Sequence, residues 1–176
     1  MEKNNADVIL QIRNVSKAFP GVQALDKVSL NVFSGTIHGI VGENGAGKST
    51  LMKILSGVYK KDSGEIIFDG KKLENVTPIQ SMNMGLSIIY QELNLINQLS
   101  VGENIYLGRF GIMGGRKGVH SNARILLDKM GCKIDTYKLV SELSVSEKQM
   151  VEIAKAMSYD SKLIIMDEPS SSLSVD

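Results

Sequence analysis

Tryptophan is absent from the 176-residue sequence, and cysteine occurs once, at Cys132. One cysteine cannot form an internal disulfide, so the chain is compatible with a reducing compartment. The 20 basic residues nearly balance the 19 acidic ones, which argues against a strongly basic nucleic-acid-binding surface and against a highly charged disordered chain. Long apolar runs are also missing. The longest, such as residues 163–166, have the length of a strand and fall far short of the roughly 18 residues of a membrane span.

The length fits one ordinary globular domain, since domains average roughly 150 residues. Glycine is frequent, with 17 residues, whereas proline occurs only three times, and most glycines fall at predicted turns and in one loop. We expect a single α/β domain over residues 1–176. Within it we distinguish a β-rich region with a glycine loop (1–91), a helical subdomain (92–159), and a final strand with its following loop (160–176).

The first third of the chain predicts an antiparallel β region. Apolar or alternating residues occupy 8–12 and 28–32, and the turn signal Pro20-Gly21 lies between them. Further on, Asp69-Gly70 separates two short strand-like segments and is typical of a tight hairpin turn. The sequence therefore favours short strands joined by hairpins.

An apolar strand is predicted at residues 36–41, directly before a glycine loop. Apolar residues then recur at helical spacing from Leu51 to Leu55, and Gly57 is placed to end that helix. The expected order is strand, loop, helix. After it, residues 80–84 predict a helix and residues 86–90 a short buried strand.

The region 92–159 predicts helices at 101–107 and 122–130. Between them lies a glycine-rich stretch that also contains Arg109, Arg116 and Lys117, and we interpret it as a flexible, solvated surface connection.

A further helix is predicted to begin at Ser144, because Glu147 follows it at the spacing of a capping box. Residues 162–166 then form a continuous apolar run that predicts a strand, and this run is followed by Asp167-Glu168.

The glycine loop satisfies the phosphate-loop pattern in full, with a predicted strand before it and a helix after it. Glycines let backbone N–H groups and the positive end of the helix face phosphate oxygens, the lysine reaches the β- and γ-phosphates, and the serine hydroxyl ligates Mg²⁺. The alternative is an ordinary glycine-rich turn with a surface lysine. The candidate nucleotide-binding residues are Gly42, Glu43, Asn44, Gly45, Ala46, Gly47, Lys48, Ser49 and Thr50.

Mg²⁺ also needs a carboxylate, and hydrolysis needs a group that activates water. Asp167 fits the first need and Glu168 the second. Ligands gather at the carboxyl ends of strands in open parallel sheets, so both residues can meet the phosphate loop there despite their distance in sequence. Alternatively, they only end a strand in a turn.

Together these residues resemble the nucleotide-binding subunits of ATP-binding cassette (ABC) transporters. Their sequence is similar to that of the ATPases of bacterial monosaccharide importers of the ribose/galactose/xylose type. The resemblance implies a P-loop ATPase fold with a mainly parallel core sheet, an N-terminal antiparallel β region and a helical insertion, incomplete at the C-terminus. It covers most of the chain and rests on segments in the family's order: residues 15–25, the phosphate loop, and residues 90–93, 143–147 and 163–169.

Further site residues are implied by this resemblance alone. Phe19 matches the aromatic residue that stacks on adenine, although by itself it would be interpreted as a core phenylalanine beside a turn. Gln91 matches the glutamine that reaches Mg²⁺ and the attacking water. Ser144, Val145 and Ser146 match the signature segment that binds the γ-phosphate of ATP held by an opposite protomer.

The sequence departs from the family pattern in two places. Its signature segment reads Leu-Ser-Val-Ser-Glu, so Ser146 replaces a glycine and Glu147 adds a negative charge, and either change could weaken the contact with the opposite ATP. Past residue 174 the family continues with a helix, a strand and a switch histidine. Neither His38 nor His120 occupies that position, so both are expected to be structural or exposed, and the chain resembles the N-terminal part of a longer protein.

The function implied by the resemblance is ATP binding and hydrolysis that drives sugar import, with ATP and Mg²⁺ as cofactors. The implied partners are a second cassette, membrane-spanning permease subunits and, indirectly, a periplasmic or extracellular sugar-binding protein, with no nucleic acid. The implied location is peripheral, at the cytoplasmic face of the membrane. A soluble cassette ATPase acting on ribosomes or DNA, and a non-catalytic nucleotide-binding fragment, are the alternatives.

Overall fold

The computed structural model describes residues 7–90 and 92–167. The chain divides into two compact units, of which the first ends at Leu86 and the second begins at Ser87, within a strand. Each unit has its own buried residues.

The first unit contains a four-stranded antiparallel sheet. Its strands are β1 (Val8–Phe19), β2 (Val22–Phe33), β3 (Ser63–Phe68) and β4 (Lys71–Lys72), in the order β2-β1-β3-β4. Strand β1 pairs with β2 and with β3, and the side chains that it turns inward are apolar. The core of this sheet consists of Leu10, Ile12, Val15, Leu25, Val32, Ile66 and Phe68.

Both predicted turns are confirmed. Pro20 and Gly21 connect β1 to β2, and the last residue of β1 pairs with the first residue of β2. Asp69 and Gly70 connect β3 to β4 with φ values of 48° and 72°, so both central residues adopt the left-handed conformation that a tight hairpin turn requires.

Two helices complete the first unit. Helix α1 (Lys48–Leu55) buries Leu51, Ile54 and Leu55, as its sequence spacing predicted, and also Met52, and Gly57 follows it with a φ of 77°. Helix α2 (Pro78–Asn83) begins with a capping box formed by Thr77 and Gln80. The Ser81 hydroxyl of α2 donates to the carbonyl of Leu55 at 3.0 Å, which fixes α2 to the end of α1.

The prediction of a strand at residues 36–41 is wrong. This segment has no regular secondary structure, and Ile37 and Val41 are almost fully exposed. A continuous apolar strand depends on neighbours that pair with its backbone and cover both of its faces. No strand among residues 7–90 and 92–167 pairs with this segment, so apolar composition alone does not make it a strand.

The second unit packs three helices around one apolar cluster. These are α3 (Val101–Ile105), α4 (Gly115–Lys129) and α5 (Val145–Met157), with one turn of 3₁₀ helix (Val140–Glu142) before α5. Strands β5 (Leu86–Ile89) and β6 (Leu163–Met166) pair in a separate two-stranded sheet. In the described ranges, no helix is both long enough and apolar enough to traverse a bilayer. The buried cluster includes Val101, Ile105, Val119, Leu127, Val140 and Val151.

We interpreted the basic glycine stretch as a flexible, solvated connection, and this interpretation is wrong for Arg109 and for the segment that begins at Gly115. Helix α4 begins at Gly115, well before the predicted start at residue 122, and includes Arg116. Arg109 packs its guanidinium 3.7 Å from the ring centroid of Tyr159 and donates to the carbonyl of Ser158 at 2.8 Å. Glycine lowers intrinsic helix propensity, but within α4 a tertiary contact offsets that preference, because Arg116 pairs with Glu103 at 2.9 Å.

Glu103 in α3 is a buried carboxylate that joins α3 to α4. It accepts hydrogen bonds from the Ser100 backbone N–H at 2.9 Å and hydroxyl at 2.7 Å, and from Nε of Arg116 at 3.0 Å. The Ser100 hydroxyl is the largest cause that holds the pKa of Glu103 below its ordinary value of 4.5, followed by the Ser100 N–H. The ionised form of Glu103 therefore stabilises the second unit.

We expect Glu103→Ala to lower the free energy of unfolding by about 2 kcal/mol, because it removes a buried hydrogen-bonded charge and a helix cap. Since the pKa is lowered in the folded state, this contribution is present above pH 4.5 and is lost as the pH falls through the folded-state value. Urea unfolding at pH 7 and pH 3 tests both statements. Asp128→Ala is the control, because its ion pair with Arg124 is exposed and should contribute no more than about 0.5 kcal/mol.

Candidate functional site

The phosphate loop of the first unit is a tight turn that leads directly into α1. The Ala46 N–H donates to the carbonyl of Glu43 at 3.1 Å and closes the turn. Gly45 and Gly47 have φ values of 88° and 87°, in the region that strains any side-chain-bearing residue. Gly45 and Gly47 therefore stand where the backbone needs a residue without a side chain.

Lys48 directs its ammonium group back into this loop. Its Nζ donates to the carbonyl oxygen of Gly42 at 2.6 Å and to that of Glu43 at 3.0 Å. The positive charge is thereby held inside the curve of the loop. An incoming phosphate would meet that charge together with the helix that follows.

Helix α1 begins without a capping side chain. Its N-cap is Gly47, and no side chain accepts a hydrogen bond there. Helices α2, α3 and α5 instead begin with complete capping boxes. The first N–H groups of a helix need an acceptor, and the helix dipole places partial positive charge at the same end. The start of α1 is accordingly suited to an external anion.

The two predicted metal ligands that the structure describes carry oxygen donors. Ser49 lies exposed in the first turn of α1, and its hydroxyl forms no hydrogen bond to a described residue. Asp167 follows β6, and its N–H donates to the carbonyl of Ile89 at 3.0 Å, so the pairing of β5 with β6 continues to this residue. Hydroxyl and carboxylate oxygens are ligands that Mg²⁺ prefers, so these residues fit the ion chemically. Gln91 and Glu168 lie outside the described residues.

Phe19 ends β1 and is partly exposed, so it does not belong to the buried core of the sheet. Its ring contacts Tyr59 edge to face, with centroids 5.4 Å apart and an interplanar angle of 67°. The ammonium of Lys17 lies 5.4 Å from the centroid of the Phe19 ring. The exposed part of the ring leaves aromatic surface for a ligand to stack on.

The start of α5 contains the predicted signature residues Ser144, Val145 and Ser146, and the predicted capping box is confirmed there. The Ser144 hydroxyl accepts from the Glu147 N–H at 3.3 Å, and Oε2 of Glu147 accepts from the Ser144 N–H at 2.7 Å. The Ser146 hydroxyl lies 3.2 Å from that of Ser144. The carboxylate of Glu147 therefore already accepts a backbone N–H at this helix start.

Glu147 has a basic neighbour that the sequence did not reveal. Oε1 of Glu147 lies 3.7 Å from Nζ of Lys138. Hydrogen bonds from the Ser144 N–H and hydroxyl are the largest causes that lower the pKa of Glu147, and the charge of Lys138 lowers it further. Glu147 is therefore ionised at neutral pH, and Lys138 offsets part of its charge.

The structure also brings together residues that sequence analysis missed. Tyr59 lies beside Phe19 although 40 residues separate them, and Lys138 lies beside Glu147. No short-range pattern marks such pairs. The expectation for the histidines agrees with the structure, because His38 is exposed and His120 is buried with Nδ1 3.0 Å from the carbonyl of Thr136.

Comparison with known families decides the classification. A family model described as "ABC transporter" matches residues 25–171, which is most of the chain. The chain belongs to the ABC transporter family. It is 50% identical over 176 residues to a ribose/galactose/methyl galactoside import ATP-binding protein of Agrobacterium fabrum. That alignment covers 98% of this chain and 35% of the relative, so the chain spans about a third of the length of the curated relatives that it matches.

Solved structures agree with this classification. A nucleotide-free ATP-binding cassette from an ABC transporter superposes with a TM-score of 0.84 at 28% identity, covering 96% of this chain and 72% of that one. A dimeric cassette bound to ADP and Pi superposes with a TM-score of 0.78 at 25% identity, covering 94% of this chain and 76% of that one. The predicted ABC ATPase fold is confirmed.

Gly45 and Gly47, the two glycines of the phosphate loop with left-handed backbone conformations, provide a matched pair of variants. A Cβ atom at Gly47 would lie 2.2 Å from the carbonyl oxygen of Ala24, whereas nothing lies within 4 Å of a Cβ at Gly45. We expect Gly45→Ala to cost about 1 kcal/mol of unfolding free energy from backbone strain alone. Gly47→Ala should cost about 3 kcal/mol, because it adds overpacking. Equal losses in urea unfolding would contradict this view of the loop.

Proposed function

We propose that this chain is the ATP-binding part of an ABC ATPase that energises the import of a sugar. The observation that carries the proposal is the combination of an uncapped α1 start with Lys48 held inside the phosphate loop. This combination provides backbone donors and a cation for a polyphosphate. That the cargo is a sugar is inferred from the name of the Agrobacterium relative, a ribose/galactose/methyl galactoside import ATP-binding protein.

The proposed roles of the individual residues follow from their chemistry. Lys48 and the loop N–H groups bind the phosphates, and the ring of Phe19 stacks on the adenine. Ser49, Gln91 and Asp167 would hold Mg²⁺. When bound, the ion neutralises charge on the β- and γ-phosphate oxygens.

Two further residues would act on water. We assign Gln91 to orienting the water that attacks the γ-phosphate, because an amide can donate and accept hydrogen bonds without being ionised. Glu168 is assigned as the base that accepts a proton from this water. Both assignments rest on the sequence and on family membership.

The proposal includes a dimer that encloses ATP. Ser144, Val145 and Ser146 at the start of α5 would bind the γ-phosphate of ATP held by a second cassette, since helix starts attract anions. The dimeric form of one similar cassette supports this arrangement. The other proposed partners are permease subunits and, through them, a sugar-binding protein, which places the chain peripherally at the cytoplasmic face of the membrane.

Equilibrium binding of Mg-ATP to the 176-residue chain, measured by calorimetry, tests the proposal. We expect saturable binding by the wild type and a loss of more than about tenfold in affinity for Lys48→Ala, because the loop loses its cation. Lys60→Ala is the matched control, since Lys60 is exposed and lies outside the loop. A folded wild-type chain that does not bind Mg-ATP, or a Lys48→Ala chain that binds equally well, would refute the proposal.

The signature segment generates a separate prediction. Glu147→Gln keeps an oxygen acceptor for the Ser144 N–H but removes the negative charge from the start of α5. We expect ATP-dependent dimers to become tighter by about threefold to fivefold, because a charge near a helix end contributes up to about 1 kcal/mol. Sedimentation velocity in Mg-ATP measures this change.

Glu142→Gln serves as the control for this variant. Glu142 also accepts a backbone hydrogen bond, from Leu139 at 3.3 Å, but it precedes the signature segment. Its replacement should leave dimer formation unchanged. Dimers of Glu147→Gln that are no tighter than the wild type would show that the charge of Glu147 does not oppose the contact.

A further inference from the structure

Asp62 lies immediately before β3 and forms hydrogen bonds with residues near the end of β1. Its Oδ2 accepts a hydrogen bond from the Ala18 N–H at 2.7 Å, and its Oδ1 accepts one from Nζ of Lys17 at 2.7 Å. Its own N–H donates to the carbonyl of Ser16 at 2.9 Å. Asp62 thus contacts three consecutive residues that directly precede Phe19.

These contacts begin where the regular sheet hydrogen bonds end. The ladder between β1 and β3 ends with the pair Ser16 and Ser63, and β1 then continues to Phe19 without a partner on that side. On the other side, the register between β1 and β2 shifts on both sides of Lys17. A backbone N–H that leaves a ladder needs another acceptor, and the carboxylate of Asp62 accepts the hydrogen bond of Ala18.

The ring of Phe19 has a second support from the helix that follows the phosphate loop. Tyr59 packs edge to face against this ring, and its own N–H donates to the carbonyl of Lys53 at 2.9 Å, in the last turn of α1. Helix α1 therefore begins at the phosphate loop and ends beside Tyr59, which packs against Phe19. Through this helix, the first unit sets the distance between its base-stacking and phosphate-binding groups.

We propose that Asp62 is a positioning residue for nucleobase binding, which fixes Lys17 and Ala18 so that the Phe19 ring is oriented to stack on adenine. This inference rests on the proposed function, namely that ATP binds at the phosphate loop. Asp62 does not touch the nucleotide in this scheme. It acts only through the backbone that carries Phe19.

The charges at this position are compatible with a bound nucleotide. The side chain of Asp62 is about half exposed, at 47%, whereas that of Lys17 is 16% exposed, and the two form an ion pair. The hydrogen bond from Lys17 is the largest cause that lowers the pKa of Asp62, followed by that from the Ala18 N–H. Asp62 is ionised at neutral pH, and Lys17 offsets its charge close to the ring.

Binding of two probes to the full 176-residue chain separates this role from a general effect on the fold. ATP contains the base, whereas inorganic tripolyphosphate presents only the phosphates. We expect Asp62→Ala to lower the affinity for ATP about fivefold to tenfold, since the misplaced Phe19 ring would lose part of its stacking on the base. Its affinity for tripolyphosphate should remain that of the wild type.

A double-mutant cycle tests whether Asp62 acts through Phe19. Phe19→Ala should show the same selective loss of ATP affinity, and adding Asp62→Ala to it should cause little further loss. Additive losses would contradict the proposal. Asp62→Asn keeps an acceptor for the Ala18 N–H and should restore most of the ATP affinity.

Glu65→Ala is the matched control. Glu65 is a carboxylate on β3 that instead pairs with Arg13 and Lys72. Its removal should change the affinity for neither probe. Thermal unfolding checks that each variant is folded. If Asp62→Ala is unstable, Asp62→Glu, which keeps the charge but moves the carboxylate, is expected to show the same selective loss.

The possible outcomes distinguish this inference from the proposed function. Lys48-dependent ATP binding that is unaffected by Asp62→Ala would overturn only the role of Asp62. An equal loss of ATP and tripolyphosphate affinity would also overturn it, because the effect would not involve the base. Absence of Lys48-dependent ATP binding in the folded wild type would refute the proposed function, and the inference with it.

Discussion

The close approach of Gly47 to the carbonyl of Ala24 is the constraint on which the candidate site depends. Ala24 lies in β2, and Gly47 is the residue at which the phosphate loop becomes α1. Only a residue without a side chain fits there, so the glycine allows the loop to pass this close to the sheet. The sheet also carries Phe19 at the end of β1. Groups suited to a phosphate and to a base are therefore built into one compact unit.

Features governed by neighbouring residues were predictable from sequence. The turn at Asp69-Gly70, the helix after the phosphate loop and the capping box of Ser144 all depend on residues within one or two turns of the chain. Local backbone sterics and hydrogen bonds decide such features. The phosphate loop was likewise recognisable from its own residues and from the helix after it, although residues 36–41 before it do not form the predicted strand.

Features that depend on distant partners were not predictable in the same way. The apolar segment 36–41 was expected to be a strand, but a strand exists only where another pairs with it. Helix α4 starts earlier than its glycines suggest, because tertiary contacts such as that of Arg116 with Glu103 offset low helix propensity. The ion pair of Asp62 with Lys17 joins the residue just before β3 to a residue of β1, and no periodicity in the sequence predicts it.

The starts of α1 and α5 show two solutions to the same electrostatic problem. Both helices present N–H groups and partial positive charge at their first turn. In α1 a glycine cap leaves these groups to an external anion, whereas in α5 Glu147 fills part of that position with its own carboxylate. A phosphate at α5 would compete with Glu147, whose charge Lys138 already offsets in part. Within the proposed dimer, Glu147 would therefore oppose a phosphate at the start of α5, whereas no acidic side chain lies in the first turn of α1.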